Sequence, residues 1–161
     1  MCTCTYPRGF SVAMGIKSSV RPVDLLLVED NPGDIRLTRE ALKNGQIHIN
    51  LSVVHDGVEA IEFLRHKGQF ADAPTPDLIL LDLNLPRKNG REVLSEIKTD
   101  PVLKRIPVLI MTTSRAEQDV NRAYNLNANC YITKPMDLDE FLRIVKAIED
   151  FWLRTVTLPK V

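Results

Sequence analysis

The chain predicts an α/β fold, a doubly wound parallel sheet of five strands with five helices, and three observations predict it. From Val23 onward, short apolar runs alternate with longer amphipathic stretches, the pattern of strands joined by crossover helices. Three runs, Leu25-Leu26-Leu27-Val28, Leu78-Ile79-Leu80-Leu81 and Val108-Leu109-Ile110-Met111, are unbroken, as in strands covered on both faces. The 161 residues suit one core of ordinary size, with no room for a second catalytic or DNA-binding domain.

Taken in order, the first strand is expected over 24–29 and carries the first aliphatic run. A helix over 32–44 follows, with Asp34 as an acidic first-turn or capping residue and Gly45 as its stop. The second strand, 48–55, alternates through Ile49-Asn50-Leu51-Ser52-Val53, which suits an edge. Asp56 opens a helix over 57–67. The second and third aliphatic runs place strands at 77–82 and 107–111, separated by a helix over 90–100. A helix over 116–126 leads to the fifth strand, 129–132, and Asp137 opens the last helix, 138–154. Right-handed crossovers put helices on both faces of such a sheet.

The last helix carries a stripe of Leu138, Phe141, Leu142, Val145, Ile148 and Trp152 at helical spacing, enough to bury it against the sheet. Phe151 and Trp152 are adjacent and so point about 100° apart, so one of them is expected to feed an exposed patch. Large exposed patches mark partner surfaces, and the expectation here is a symmetric homodimer through the fourth and fifth helices and the strand between.

Residues 1–22 have no sustained period and read as a flexible leader, with residues 155–161 as a C-terminal tail. Two motifs in the leader are discounted. Met14-Gly15 resembles a myristoylation start but lies inside the chain, and Cys2-Thr3-Cys4 has no second half of a metal site nearby. The three cysteines, Cys2, Cys4 and Cys130, form an odd set that favours a reduced, cytoplasmic protein, with Cys130 a small buried hydrophobe. Lys plus Arg number 21 and so do Asp plus Glu, so no net field draws the chain to nucleic acid or an anionic membrane. No apolar stretch is long enough to cross a bilayer.

The polar residues fall at the carboxyl ends of the strands, where such sheets bind ligands at the point of strand-order reversal. Glu29-Asp30 ends the first strand, Asp82 the third and Thr112-Thr113 the fourth, while the fifth runs through Tyr131 to Lys134-Pro135. Glu29, Asp30 and Asp82 in one crevice with no cation among them would raise one another's pKa values. A hard divalent cation resolves that repulsion, and Mg²⁺ suits the oxygen donors better than Zn²⁺, for which no Cys or His is placed. A carboxylate attacking phosphorus needs neutralising donors around it, which Lys134, Thr112 and nearby backbone N–H groups can supply. His48, His55 and His66 are assigned no chemistry.

The set Glu29-Asp30, Asp82-Leu83-Asn84-Leu85-Pro86 with Gly90, Thr112 and Lys134-Pro135 resembles the response regulator receiver family over roughly residues 23–150. Val28-Glu29-Asp30-Asn31-Pro32-Gly33-Asp34 and the Phe151-Trp152 tail are most similar to single-domain regulators of cyanobacterial and other bacterial phytochrome histidine kinases. The resemblance implies a flavodoxin-like receiver fold with strand order 2-1-3-4-5 and a phosphoryl group passed from a partner's phosphohistidine to Asp82. It implies Mg²⁺ ligation by Asp30, Asp82 and the Asn84 backbone carbonyl, with Glu29 acting through water. Thr112 and Lys134 would contact the phosphoryl oxygens, and Tyr131 would change burial as Thr112 moves. A cis Lys134–Pro135 bond is expected with it. Signalling then runs through a downstream protein or phosphotransfer partner, by way of the fourth helix, fifth strand and fifth helix. Two other readings compete: an aspartyl-phosphate phosphatase, which needs a second Asp where this chain has Asn84, and a degenerate receiver or flavin-binding scaffold, against which the intact acidic set argues.

Overall fold

The computed structural model describes residues 21–161. Five parallel strands, β1 (Val23–Val28), β2 (Ile49–Val54), β3 (Leu78–Leu81), β4 (Val108–Thr112) and β5 (Cys130–Thr133), form one sheet in the order β2-β1-β3-β4-β5. Between and after them lie α1 (Pro32–Lys43), α2 (Gly57–Leu64), α3 (Gly90–Thr99), α4 (Glu117–Asn125) and α5 (Leu138–Ile148). The expected fold class and strand order are both present, with element ends shifted by a few residues, as fraying ends commonly are.

Strand alternation divides the core in two. Leu26, Val28, Ile79, Leu81, Val108 and Ile110 face α2, α3 and α4, meeting Phe63, Leu64, Val93, Leu94, Ile97 and Ala123. Leu25, Leu27, Leu78, Leu80, Leu109 and Met111 face α1 and α5, meeting Ile35, Leu42, Phe141, Val145 and Ile148. Both sides of the central strands are therefore dry, which is why their sequences need no polar alternation.

Local signals explain the helix starts. The side chain of Asn31 accepts the N–H groups of Gly33 and Asp34 at 2.8 and 3.1 Å, capping α1 with Pro32 in its first turn. Asp56 caps α2 and Asp137 caps α5, as expected, and Asn89 closes a reciprocal capping box with Glu92 on α3. Asp34 is the first-turn acid of α1 and not its cap. Gly45 follows the helix end, but its need for glycine is spatial: a β-carbon there would run into the Glu149 carboxylate.

Three expectations are corrected. The last helix is α-helical only to Ile148 and then widens into a π-helix over Glu149–Thr155. The change begins at Glu149, whose buried carboxylate accepts the Gln46 N–H at 3.1 Å, a tertiary demand that apolar spacing does not encode. Leu138, placed on the buried stripe, is 50% exposed, because the helix meets the sheet only from Phe141 onward. No cis peptide bond occurs among the described residues, so Lys134–Pro135 is trans. The lysine is directed inward by the end of β5 and by its carboxylate partners, and the trans amide is favoured by about 0.5–1 kcal/mol. The expected leader lies outside the described residues except for Arg21 and Pro22; Arg21 pairs with Asp77 at 2.5 Å.

Candidate functional site

Strand order reverses between β1 and β3, and the crevice opens at their carboxyl ends. Parallel pairing of Val28 with Leu81 brings the residues that follow, Glu29 and Asp82, level with each other. Pairing of Thr112 with Thr133 brings Lys134 to the same edge, and the Lys134 N–H donates to the Thr112 carbonyl at 2.7 Å. Glu29, Asp82, Thr112 and Lys134 are buried and Asp30 is exposed.

The tertiary structure gathers four of the expected residues closely. One carboxylate oxygen from each of Glu29, Asp30 and Asp82 lies within 4.8 Å of the others. The Lys134 ammonium donates to Glu29 at 2.5 Å, to Asp82 at 2.9 Å and to Asp34 at 2.8 Å. Three carboxylates thus hold one lysine, and Asp30 stands beside two of them. The expectation that no cation stands among the acids is corrected: the end of β5 delivers Lys134 into their midst.

Electrostatics follow from that packing. Burial alone would lower the Lys134 pKa, but the hydrogen bonds it donates to Asp34, Asp82 and Glu29 outweigh that, and the net direction is upward. Burial raises the Glu29 carboxyl above its ordinary range, against the opposing pull of Lys134 and of the Asn31 N–H that donates to it at 3.0 Å. Because the acids outnumber the ammonium, the crevice retains excess negative charge. Its oxygen donors, one of them exposed, fit a hard divalent ion.

Around this cluster, the Asn84 N–H donates to Asp82 Oδ1 at 3.0 Å, and the Asn84 side chain reaches the Thr112 hydroxyl at 3.4 Å. Tyr131 stands apart on β5, half-buried, with its hydroxyl donating to the Ser114 carbonyl at 3.0 Å. Ser114 is in turn held by Asp119, which pairs with Arg91 at 2.5 Å. Phe151 is 56% exposed, while Trp152 is half-buried against the α1–α5 core, so one of the pair does face solvent.

Sequence reasoning did not assign Asp34 to the crevice. Its only local signal is its position in the first turn after β1, four residues beyond Asp30, which a capping role explains equally well.

The doubly wound sheet carries its charged crevice at the switch point, and residues 25–146 match the response regulator receiver domain family. The chain belongs to that family, which is a family of signalling proteins. It is 52% identical over 138 residues to response regulator Rcp1 of Synechocystis sp., covering 86% of this chain and 94% of that one. The crystal structure of the Mn²⁺-bound form of response regulator Rcp1 superposes with a TM-score of 0.84, over 86% of this chain and 100% of the other. The phosphorylated cyanobacterial phytochrome response regulator RcpA, 54% identical, superposes with a TM-score of 0.85, over 87% and 100%. Among the described residues no helix is long and apolar enough to cross a membrane.

Proposed function

We propose that this protein accepts a phosphoryl group from a histidine kinase onto Asp82 and signals through the change in shape that follows. The observation that carries the reading is the buried Asp82 carboxylate held between the Lys134 ammonium and the Asn84 N–H. An Asp82 oxygen attacks phosphorus, a P–O bond forms as the P–N bond of the donor's phosphohistidine breaks, and the electron pair returns to the imidazole. Lys134 and Thr112 take up charge on the phosphoryl oxygens. Glu29, Asp30, Asp82 and the Asn84 backbone carbonyl would hold Mg²⁺, Glu29 through water, and the ion when bound neutralises further charge there. The Mn²⁺-bound relative and the acidic cluster support that assignment.

As Thr112 turns toward the phosphoryl group, Tyr131 leaves Ser114 and enters the vacated space, and the surface of α4, β5 and α5 then favours a different partner. The similarity to a phytochrome response regulator supports a phytochrome-type kinase as donor. The receiver domain spans 23–154 in this reading and acts in the cytoplasm on protein partners, not on nucleic acid or membrane. The exposed Phe151, beside Ile144 and Trp152, supports a homodimer through α4, β5 and α5.

The test is labelling by acetyl phosphate with Mg²⁺, read as a single phosphoryl mass increment by intact-mass spectrometry. Wild type takes one group and Asp82→Asn none. Undiminished labelling of Asp82→Asn would show the acceptor to be misassigned.

A further inference from the structure

Lys134 has three N–H donors, and three carboxylates take them: Glu29, Asp34 and Asp82. In the phosphoacceptor reading, on which the present inference rests, two of these acceptors have other duties. Glu29 faces the metal with Asp30, and Asp82 gives up its carboxylate charge when it becomes an acyl phosphate. Asp34 has no such duty.

Its placement suits a fixed post. Asp34 lies in the first turn of α1, where the helix dipole favours a carboxylate. Its backbone is pinned from both sides, by the Asn31 cap on its N–H and by the buried Thr38 hydroxyl donating to its carbonyl at 2.8 Å. Its side chain is 27% exposed, at the mouth of the crevice, whereas the lysine it holds is buried. The pair therefore spans the step from solvent to interior.

We propose that Asp34 is a positioning residue for the phosphoryl transfer: from the mouth of the crevice it draws the buried Lys134 ammonium outward while Asp82 changes from carboxylate to acyl phosphate. With Asp34 present, the ammonium is shared outward, and the Asp82 oxygen it touches is only partly neutralised. Without that charge, Lys134 closes onto Asp82 and Glu29, and the attacking oxygen loses nucleophilicity.

The experiment measures labelling by acetyl phosphate against Mg²⁺ concentration for wild type, Asp34→Asn and Asp34→Glu, with thermal unfolding midpoints alongside. Loss of one charge-assisted hydrogen bond at the transition state predicts a maximal rate roughly tenfold lower in Asp34→Asn. The rate is compared at saturating Mg²⁺, because an ammonium that closes onto Asp82 and Glu29 also competes with the ion for them, and Asp34→Glu, which keeps the charge, regains most of the rate. The inference is overturned by a wild-type rate in Asp34→Asn at saturating Mg²⁺, or by Asp34→Glu labelling as slowly as Asp34→Asn. Wild type that takes no label would overturn the phosphoacceptor reading and this inference together, whereas labelled wild type with an indifferent Asp34→Asn would overturn this inference alone.

Discussion

Gly90 packs its Cα against the main chain of Asp82 and Leu83, and its N–H donates to the Leu83 carbonyl at 3.0 Å. A β-carbon on Gly90 would overlap the Asp82 carbonyl oxygen. The start of α3 is thereby pressed against the backbone that carries the candidate acceptor. Main-chain atoms cannot rotate away as a side chain can, so Gly90→Ala is expected to cost about 3 kcal/mol. The urea midpoint checks this, and an unchanged midpoint would remove the argument.

Glu149 is wholly buried and joins two distant parts of the chain, accepting the Gln46 N–H at 3.1 Å and the Lys146 ammonium at 3.2 Å. Glu149→Ala leaves that N–H without its partner and is expected to cost about 2 kcal/mol. The π-helix should loosen with it. Trp152, the one tryptophan, sits in that segment, so its fluorescence should shift to the red. Unaltered emission would mean that the π-helix does not depend on Glu149.

Burial raises the Tyr131 phenol above its ordinary pKa. A raised folded-state pKa means that the native protein holds the proton more tightly than the unfolded chain does. The resulting stability is fully present below the unfolded phenol value and is lost as pH rises through the folded one. Alkaline titration by tyrosinate absorbance should therefore show a late step that Tyr131→Phe removes. The same variant should flatten the alkaline decline in stability. A late step that survives in Tyr131→Phe would place it on another tyrosine.

The ring centroids of Phe151 and Trp152 lie 5.7 Å apart in an edge-on arrangement, beside Ile132, Ile144, Ala147 and Ile148. If this apolar surface joins two copies, sedimentation should give twice the chain mass for wild type and the single mass for a Phe151→Ala, Trp152→Ala double variant. Equal masses would remove the dimer.

Much of the architecture was present in local pattern. The aliphatic runs and amphipathic spacing determined five strands, five helices and the doubly wound class, because burial on one or two faces imposes its period on neighbouring residues. Strand ends likewise marked Glu29, Asp30, Asp82, Thr112 and Lys134, since the site of an open sheet lies there whatever the rest of the chain does. The tertiary structure decided what no neighbouring residue specifies. Lys134 is paired with Asp34 and Glu29, 100 and 105 positions away, Glu149 is buried to meet Gln46, the final helix widens at that point, and Lys134 enters the crevice through a trans bond. Helix and strand periods report which face of an element is apolar. Which buried charge meets which partner depends on how whole elements stack, and that is settled only when the crossovers close and each desolvated group must find a partner or remain exposed.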